Sequence, residues 1–198
     1  DIETIYEVPI MFEEQGLLAL LAKRFVFTPQ KDLTEWRKLI SNIKSPKYRV
    51  KVAICGKYTA LNDSYASLIE AIRHAAANLN CGVDITFVET TDFEEGKITV
   101  DSALHNMDSI IVPIGFGARG VEGKISSIRY AREKKVPFLG LCFGLQLAVV
   151  EFARNVCGLK AAYSTEVSPK TPYPVIMILP EQKNVKELGG TMCSSSGC

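Results

Sequence analysis

The residues with the clearest chemical potential lie in VPFLGLCFGLQLAVV, residues 136–150. Gly140-Leu141-Cys142-Phe143-Gly144 places a glycine two residues to either side of a cysteine, the spacing of a nucleophile elbow with Cys in place of Ser. The spacing has a steric cause. A strand that enters a helix through one tight turn strains the backbone at the nucleophile, and side chains two residues away would collide. The turn also aims the helix N-terminus at the sulfur, where the dipole favours thiolate over thiol. The amide of the next residue, Phe143, then points to where an oxyanion would form. The competing reading is packing, since free cysteine is among the most buried residue types.

A thiolate nucleophile normally works with a base that a third group orients. The chain has two histidines. His74 falls near the side of its expected helix away from the apolar stripe, and so faces solvent. His105 stands at the amino end of its expected strand, whereas Cys142 stands at the carboxyl end of its own. No histidine follows Cys142 in this sequence.

The elements around the cysteine follow from period. RVKVAIC (49–55), VDITFVE (83–89), MDSIIVP (107–113), VPFLGL (136–141) and PVIMILP (174–180) read as strands. A helix from near Asp63 puts Leu68, Ile72, Ala75, Ala76 and Leu79 on one stripe. EGKISSIRYAREKK (122–135) reads as a polar-faced helix, and FGLQLAVVEFARNV (143–156) as a helix closed near Gly158. Alternating strands and helices, several strands being apolar on both faces, give an α/β fold: a doubly wound, mostly parallel sheet with helices on both faces. Such sheets bind ligands at the carboxyl ends of their strands. The loops there are IGFGARGV (114–121) and the turn at Cys142. Residues 1–47 differ: MFEEQGLLALLAKRF is an amphipathic helix candidate, and Thr34 is placed to cap TEWRKLISNIK. Two helices without a strand have no core of their own and read as a tail and linker.

Composition narrows the function. Hydrophobic residues are 47% and charged residues 23% of 198, an ordinary globular balance, and the net charge of +1 gives no field for nucleic acid or membrane surfaces. No apolar run reaches the roughly 20 residues of a membrane span, and the acidic start DIETIYEVPI is unlike a secretory signal. The cytoplasm is the expected compartment. Cys55, Cys81, Cys142 and Cys157 lack C-x-x-C spacing and read as reduced, mostly buried thiols. Cys193 and Cys198, in CSSSGC, lack the spacing and the nearby histidine of a zinc site, so no metal is expected.

GKYTALNDSYASLIEAIRHAA, VPIGFGARGVEGKISSIRYAREKKVPFLGLCFGLQLAVVEFARNV, YSTEV and PEQ…LGGTM together resemble the glutamine amidotransferase domain of the CTP synthase family. DIETIYEVPIMFEEQGL resembles the end of that family's synthetase domain, and DLTEWRKLISNIK its interdomain linker. The resemblance implies 1–47 as synthetase end and linker, 48–192 as a flavodoxin-like class I glutamine amidotransferase domain, incomplete at its C-terminus, and 193–198 as an unmatched polar tail. It implies hydrolysis of glutamine, with Cys142 forming a glutamyl thioester and ammonia passing to a synthetase domain outside this chain. There UTP would be aminated to CTP with ATP and magnesium, GTP stimulating the glutaminase. No cofactor is implied for this chain itself, and the intact enzyme would be a homo-oligomer, a tetramer. Phe143, Gly144, Leu145 and Gly115 match positions lining the oxyanion and substrate pocket. Gln146 and Glu166 match substrate-binding positions, Glu166 meeting the glutamine α-ammonium. On the residues alone Gln146 is a polar residue near a helix start, Glu166 a loop carboxylate and Arg119 an exposed loop arginine.

The chain also departs from the family. Where the family has Pro-Gly-Gly-Phe-Gly this chain has Pro113-Ile114-Gly115-Phe116-Gly117, and β-branched Ile resists a positive φ. If the oxyanion hole needs that geometry, losing one donor costs on the order of 3 kcal/mol. The family's catalytic His-x-Glu pair and a substrate-binding arginine belong beyond the segment matching Gly-Gly-Thr-Met. These 198 residues alone are therefore expected to show little or no glutaminase activity and not to make CTP unaided. Two other readings remain at this point: an elbow-cysteine hydrolase related to class I amidotransferases, many of which have His where this chain has Phe143, and a non-catalytic assembly module.

Overall fold

The computed structural model describes residues 2–28, 32–57, 62–115 and 117–177, with backbone alone at 62 and 63. The chain divides into two compact units, Asp1–Lys51 with Tyr65–Asp84, and Val52–Ser64 with Ile85–Cys198.

In the first unit Thr4 caps a 3-10 turn at Ile5–Glu7, which runs into α1 (Val8–Glu14). Gly16, at φ 77°, breaks the path, and α2 (Leu17–Phe25) starts afresh, so the single helix expected over 11–25 is two. Glycine adopts that φ without a β-carbon clash. α3 (Thr34–Lys44) forms where expected, but Thr34 is its first residue rather than its cap; Asp32 accepts from the Thr34 amide at 3.0 Å. α3 packs on α4 (Ala66–Asn78), and the Asn42 side-chain amide donates to the Ala77 carbonyl at 2.8 Å. That packing buries Ala76 and Ala77 and leaves Ala75 and Leu79 exposed, which turns the expected stripe. The N-terminal segment, without a core of its own, thus packs against α4 through α3. Tyr6 ties the unit together: its carbonyl accepts from Trp36 Nε1 at 2.7 Å, and its hydroxyl donates to Glu70 at 2.7 Å and meets His74 Nε2.

β1 (Tyr48–Gly56) and β2 (Cys81–Glu89) run from the first unit into the second, and β3 (Ser109–Val112) and β4 (Phe138–Gly140) complete a sheet in the order β2-β1-β3-β4. β1 and β3 are parallel with Ile54 opposite Ile111, and β3 and β4 with Val112 opposite Gly140. The Lys47 amide bonds the Asn80 carbonyl before β1 and β2, and Thr90 bonds Gly56 beyond them, so this pair also runs in one direction. Val52–Cys55 and Ile110–Val112 are buried without alternation, as strands covered on both faces are. The order reverses at β1. The crevice at the carboxyl ends of β1 and β3 is the switch point where such sheets hold ligands.

After β2 come α5 (Thr91–Glu94) and α6 (Val100–Leu104); α7 (Val121–Lys134) and α8 (Phe143–Asn155) follow β3 and β4. α7 packs on β3 and on α8, around Val121, Ile125, Ile128, Phe143, Leu147 and Val150. The polar-faced helix expected at 122–135 has a wider buried side than its composition suggests, because Lys124 and Ser127 lie in it. β4 is shorter than 136–141, and Leu139 is 50% exposed, so that run is not covered on both faces among the described residues. β5 (Ala162–Ser164) was not expected. Three residues carry no period, yet β5 pairs in parallel with β6 (Tyr173–Ile176) in a separate two-stranded sheet on α8. β6 is the strand expected from 174; residues 178–198, with the CSSSGC tail, lie outside the described residues. Among the described residues no helix is long and apolar enough to cross a membrane.

Candidate active site

β4 passes into α8 through Leu141 and Cys142. The Leu141 amide donates to the Val112 carbonyl at 3.0 Å, carrying the β3–β4 pairing one residue past the strand, and the Gly144 amide turns back to Leu141 at 2.9 Å. Cys142 between them has φ 53° and ψ −108°, a conformation that costs a residue with a β-carbon on the order of 1–3 kcal/mol. Its side chain is exposed. Both flanking glycines answer to contact. A β-carbon on Gly140 would lie 2.7 Å from the Leu145 nitrogen, and one on Gly144 would lie 1.9 Å from the Val112 oxygen. The thiol is thus held out at the start of α8 by a turn that only small residues can close.

Phe143, the first residue of α8, is fully buried, whereas Leu145 is exposed. Gln146 closes the first turn, its amide donating to the Cys142 carbonyl at 3.2 Å. Its side-chain Oε1 is buried and has no hydrogen-bond partner. A buried acceptor left unpaired costs about 1–3 kcal/mol.

The second wall is the loop after β3. Gly115 has φ 145°, and a β-carbon there would lie 3.1 Å from Lys124 Nζ. Ile114 is exposed and has no positive φ, as the resistance of a branched residue to that conformation leads one to expect. Two lysines that sequence reading passed over lie under this loop. Lys124 is 1% and Lys57 4% exposed. Lys124 Nζ donates to the carbonyls of Pro113, at 3.3 Å, and Gly115, at 3.2 Å, and stands 5.6 Å from the centre of the Phe143 ring. Burial pulls the Lys124 ammonium down to about 8, with the Lys57 charge adding and Glu89 and Cys55 opposing. Burial, with Arg119 second, also lowers Lys57. Burial pushes the Cys55 thiol up to about 12, far from any nucleophilic role. The one signal for Lys124 was its position: it falls on the helical stripe of Val121, Ile125 and Ile128, where a core side chain belongs. At the loop's other end the Glu94 carboxylate accepts from the amides of Gly120, Glu122 and Gly123 at 2.8–3.2 Å, capping α7 from outside.

Glu166 is exposed on the turn after β5, its amide donating to Ser164 Oγ at 3.3 Å. α8 holds that strand: Arg154 Nε donates to the Ala162 carbonyl at 2.7 Å, and its guanidinium stacks 4.2 Å from the centre of the Tyr163 ring. The structure thus gathers Cys142, Phe143, Gly144, Leu145 and Gln146 at one turn, sets the Gly115 loop against them through Val112 and Lys124, and puts Glu166 on the strand pair packed on the same helix. His105 is exposed, its Nδ1 3.2 Å from the helix carbonyls of Asp101 and Ser102; exposed His74 belongs to the Tyr6 cluster. Of the thiols expected to be mostly buried, Cys55 and Cys81 are, and Cys142 and Cys157 are exposed. Among the described residues no group of three His, Cys, Asp or Glu could hold a metal ion.

An exposed thiol in a strained turn at a helix start suits attack on a carbonyl. Comparison with known proteins bears on which one. Residues 60–196 match the family described as glutamine amidotransferase class-I. Over 193 residues, 97% of this chain, it is 53% identical to a CTP synthase of Sulfurisphaera tokodaii, covering 36% of that protein. It is 51% identical to a CTP synthase of Pyrococcus abyssi, again over 97% of this chain and covering 35% of that protein. The chain thus spans about a third of the length of these curated relatives. Among solved structures, the glutaminase domain of Trypanosoma brucei CTPS with bound acivicin superposes with a TM-score of 0.62 at 33% identity, covering 68% of this chain and 52% of that one. That likeness carries the doubly wound parallel sheet with helices on both sides.

Proposed function

The chain belongs to the class-I glutamine amidotransferase family, and from that premise we propose that it is the glutaminase part of a CTP synthase, with Cys142 as the nucleophile toward L-glutamine. The observation that carries this is the exposed Cys142 thiol, strained at φ 53°, with the unpartnered Gln146 oxygen one turn on. Cys142 Sγ attacks the side-chain carboxamide carbon, and the electron pair of the C=O moves to its oxygen, which the backbone amides at Phe143 and in the Gly115 loop receive. Collapse of that intermediate expels ammonia, which leaves with an added proton, and forms the γ-glutamyl thioester. Water then attacks the thioester, releasing glutamate and the thiol. Gln146 Oε1 accepts from a substrate N–H, and the Glu166 carboxylate meets the α-ammonium. The proton carrier is the family's His-x-Glu pair, which does not occur in these residues.

The choice of CTP synthase over other amidotransferases rests on the extent of similarity. The class-I match begins at residue 60, whereas the CTP synthase relatives align over 97% of the chain, and so include much of the first unit. Ammonia from Cys142 would pass to a synthetase domain that aminates UTP with ATP and magnesium, under GTP stimulation, in a cytoplasmic homotetramer. The described residues offer no cluster to hold magnesium, and we assign the nucleotides and the metal to the part of the relatives that this chain does not span.

Alkylation of Cys142 by iodoacetamide tests the reading. L-glutamine is expected to slow it, and D-glutamine and L-asparagine are not; equal rates with all three would overturn the proposal. Ammonia release by these residues alone is expected to be slight, and turnover near that of an intact amidotransferase, abolished in Cys142→Ser, would show a base other than the family pair.

A further inference from the structure

Resting on the glutaminase reading, we propose that Lys124 is a positioning residue that aims the Ile114 amide into the oxyanion site and clamps the loop to Phe143. A lysine on the apolar stripe of α7, 1% exposed, is a place where Met or Leu would pack at no electrostatic cost. What the ammonium gains there is two carbonyls of one loop, Pro113 at 3.3 Å and Gly115 at 3.2 Å. The chain has no cis peptide among its described residues, and in a planar trans peptide the C=O and N–H point to opposite sides. Holding the Pro113 oxygen inward on Lys124 therefore turns the N–H of Ile114 outward, away from the core. The same Nζ stands 5.6 Å over the ring of Phe143, whose amide is the other proposed donor. One side chain thus holds the loop backbone at Pro113 and Gly115 and stands over the Phe143 ring on the other side.

This arrangement also accounts for Ile114. Its peptide is oriented through the preceding carbonyl, so its own side chain can point to solvent without a positive φ. Glycine is needed one residue later, at Gly115, where a β-carbon would press on Nζ at 3.1 Å. The groups facing Lys124 are Lys57 and Cys55 from β1 and its end, and Glu89 from β2. Lys57 and desolvation weaken its hold on the proton, and Glu89 opposes them.

The test uses the 198-residue chain, its Lys124→Met and Lys124→Arg variants, and two alkylating probes read at Cys142 by mass spectrometry. With acivicin the thiolate bonds the chlorine-bearing ring carbon and chloride leaves with its electron pair, charge building meanwhile on the adjacent ring nitrogen. Iodoacetamide needs no such donor and reports accessibility alone. Lys124→Met is expected to slow acivicin relative to iodoacetamide by about tenfold or more, with Lys124→Arg recovering part of the loss. Hydrogen exchange at the Leu141 amide, bonded to the Val112 carbonyl where the clamped loop departs, is expected to quicken about tenfold in Lys124→Met and to stay nearer the parent in Lys124→Arg. An unchanged probe ratio together with unchanged exchange overturns the proposal. If the parent chain takes no acivicin at Cys142 the glutaminase reading fails, and exchange alone decides the clamp, unchanged exchange overturning it. Should Lys124→Met not fold, the parent's probe ratio is followed with pH: a fall as pH rises through about 8, absent in Lys124→Arg, supports the clamp, and a flat ratio in the parent overturns it.

Discussion

Gly144 lies so close to Val112 that a β-carbon on it would stand 1.9 Å from the Val112 oxygen. That approach brings the first turn of α8 down onto the end of β3, where the loop with Gly115 departs. Gly144→Ala must push α8 off β3 and is expected to cost about 1–3 kcal/mol or more, measured by urea unfolding. Gly158→Ala is the comparison: nothing lies within 4 Å and only the φ of 76° opposes it, so its cost is expected near 1 kcal/mol. Equal losses at both positions would mean that contact with Val112 is not what requires the glycine.

Cys142 carries strain that its packing does not repay. Cys142→Gly is expected to stabilise the chain by roughly 1 kcal/mol, because glycine adopts φ 53° and ψ −108° freely, whereas Cys142→Ala changes stability little. A loss of stability in Cys142→Gly would show that the elbow is not strained.

Lys124 should leave a signature in the pH dependence of stability. Its ammonium falls from 10.5 to about 8 on folding, so between those values the unfolded chain binds more protons and unfolding free energy rises with pH. The buried charge costs roughly 3 kcal/mol below pH 8, and the cost is relieved as pH climbs toward 10.5. Cys55 acts oppositely: held protonated up to about 12, it lowers stability as pH rises above 9.0. Lys124→Met keeps the Cys55 effect, so the parent is expected to gain on the variant from pH 7 to 10. A constant difference across that range would contradict a charged Lys124 in the core.

Arg154 joins α8 to the strand pair bearing Glu166. Arg154→Met is expected to cost about 2 kcal/mol, chiefly through the Ala162 carbonyl and the Tyr163 ring. Its ion pair with Glu122, half-exposed, contributes less, so Glu122→Gln should cost under about 1 kcal/mol. A double-mutant cycle of Arg154→Met with Tyr163→Leu should show coupling of about 0.5–1 kcal/mol; zero coupling would remove the stacking from the account.

Much of this could be read from residue types. The elbow was legible because strand, glycine, cysteine, glycine and helix succeed one another locally, and the parallel sheet because buried strands lack alternation. What stayed hidden depends on partners distant in sequence. Lys124 looks like surface charge until the Pro113 and Gly115 carbonyls are brought above it. β5 is too short to have a period and exists because Tyr173–Ile176 pairs with it. The stripe of α4 turned because α3 covers Ala76 and Ala77, a contact that α4's own pattern does not encode. Gly16 divides a helix whose apolar spacing runs straight through it.

In the function proposed above, the elbow makes Cys142 a thiol for glutamine and not merely an exposed one, and Cys157, also exposed, is the internal standard. The decisive measurement is the rate of acivicin adduct formation at each, by peptide mass spectrometry, with iodoacetamide rates as the reference for access. Cys142 is expected to react at least about tenfold faster than Cys157 after that correction, saturably and with protection by L-glutamine. Equal corrected rates at the two cysteines, without protection, would contradict it.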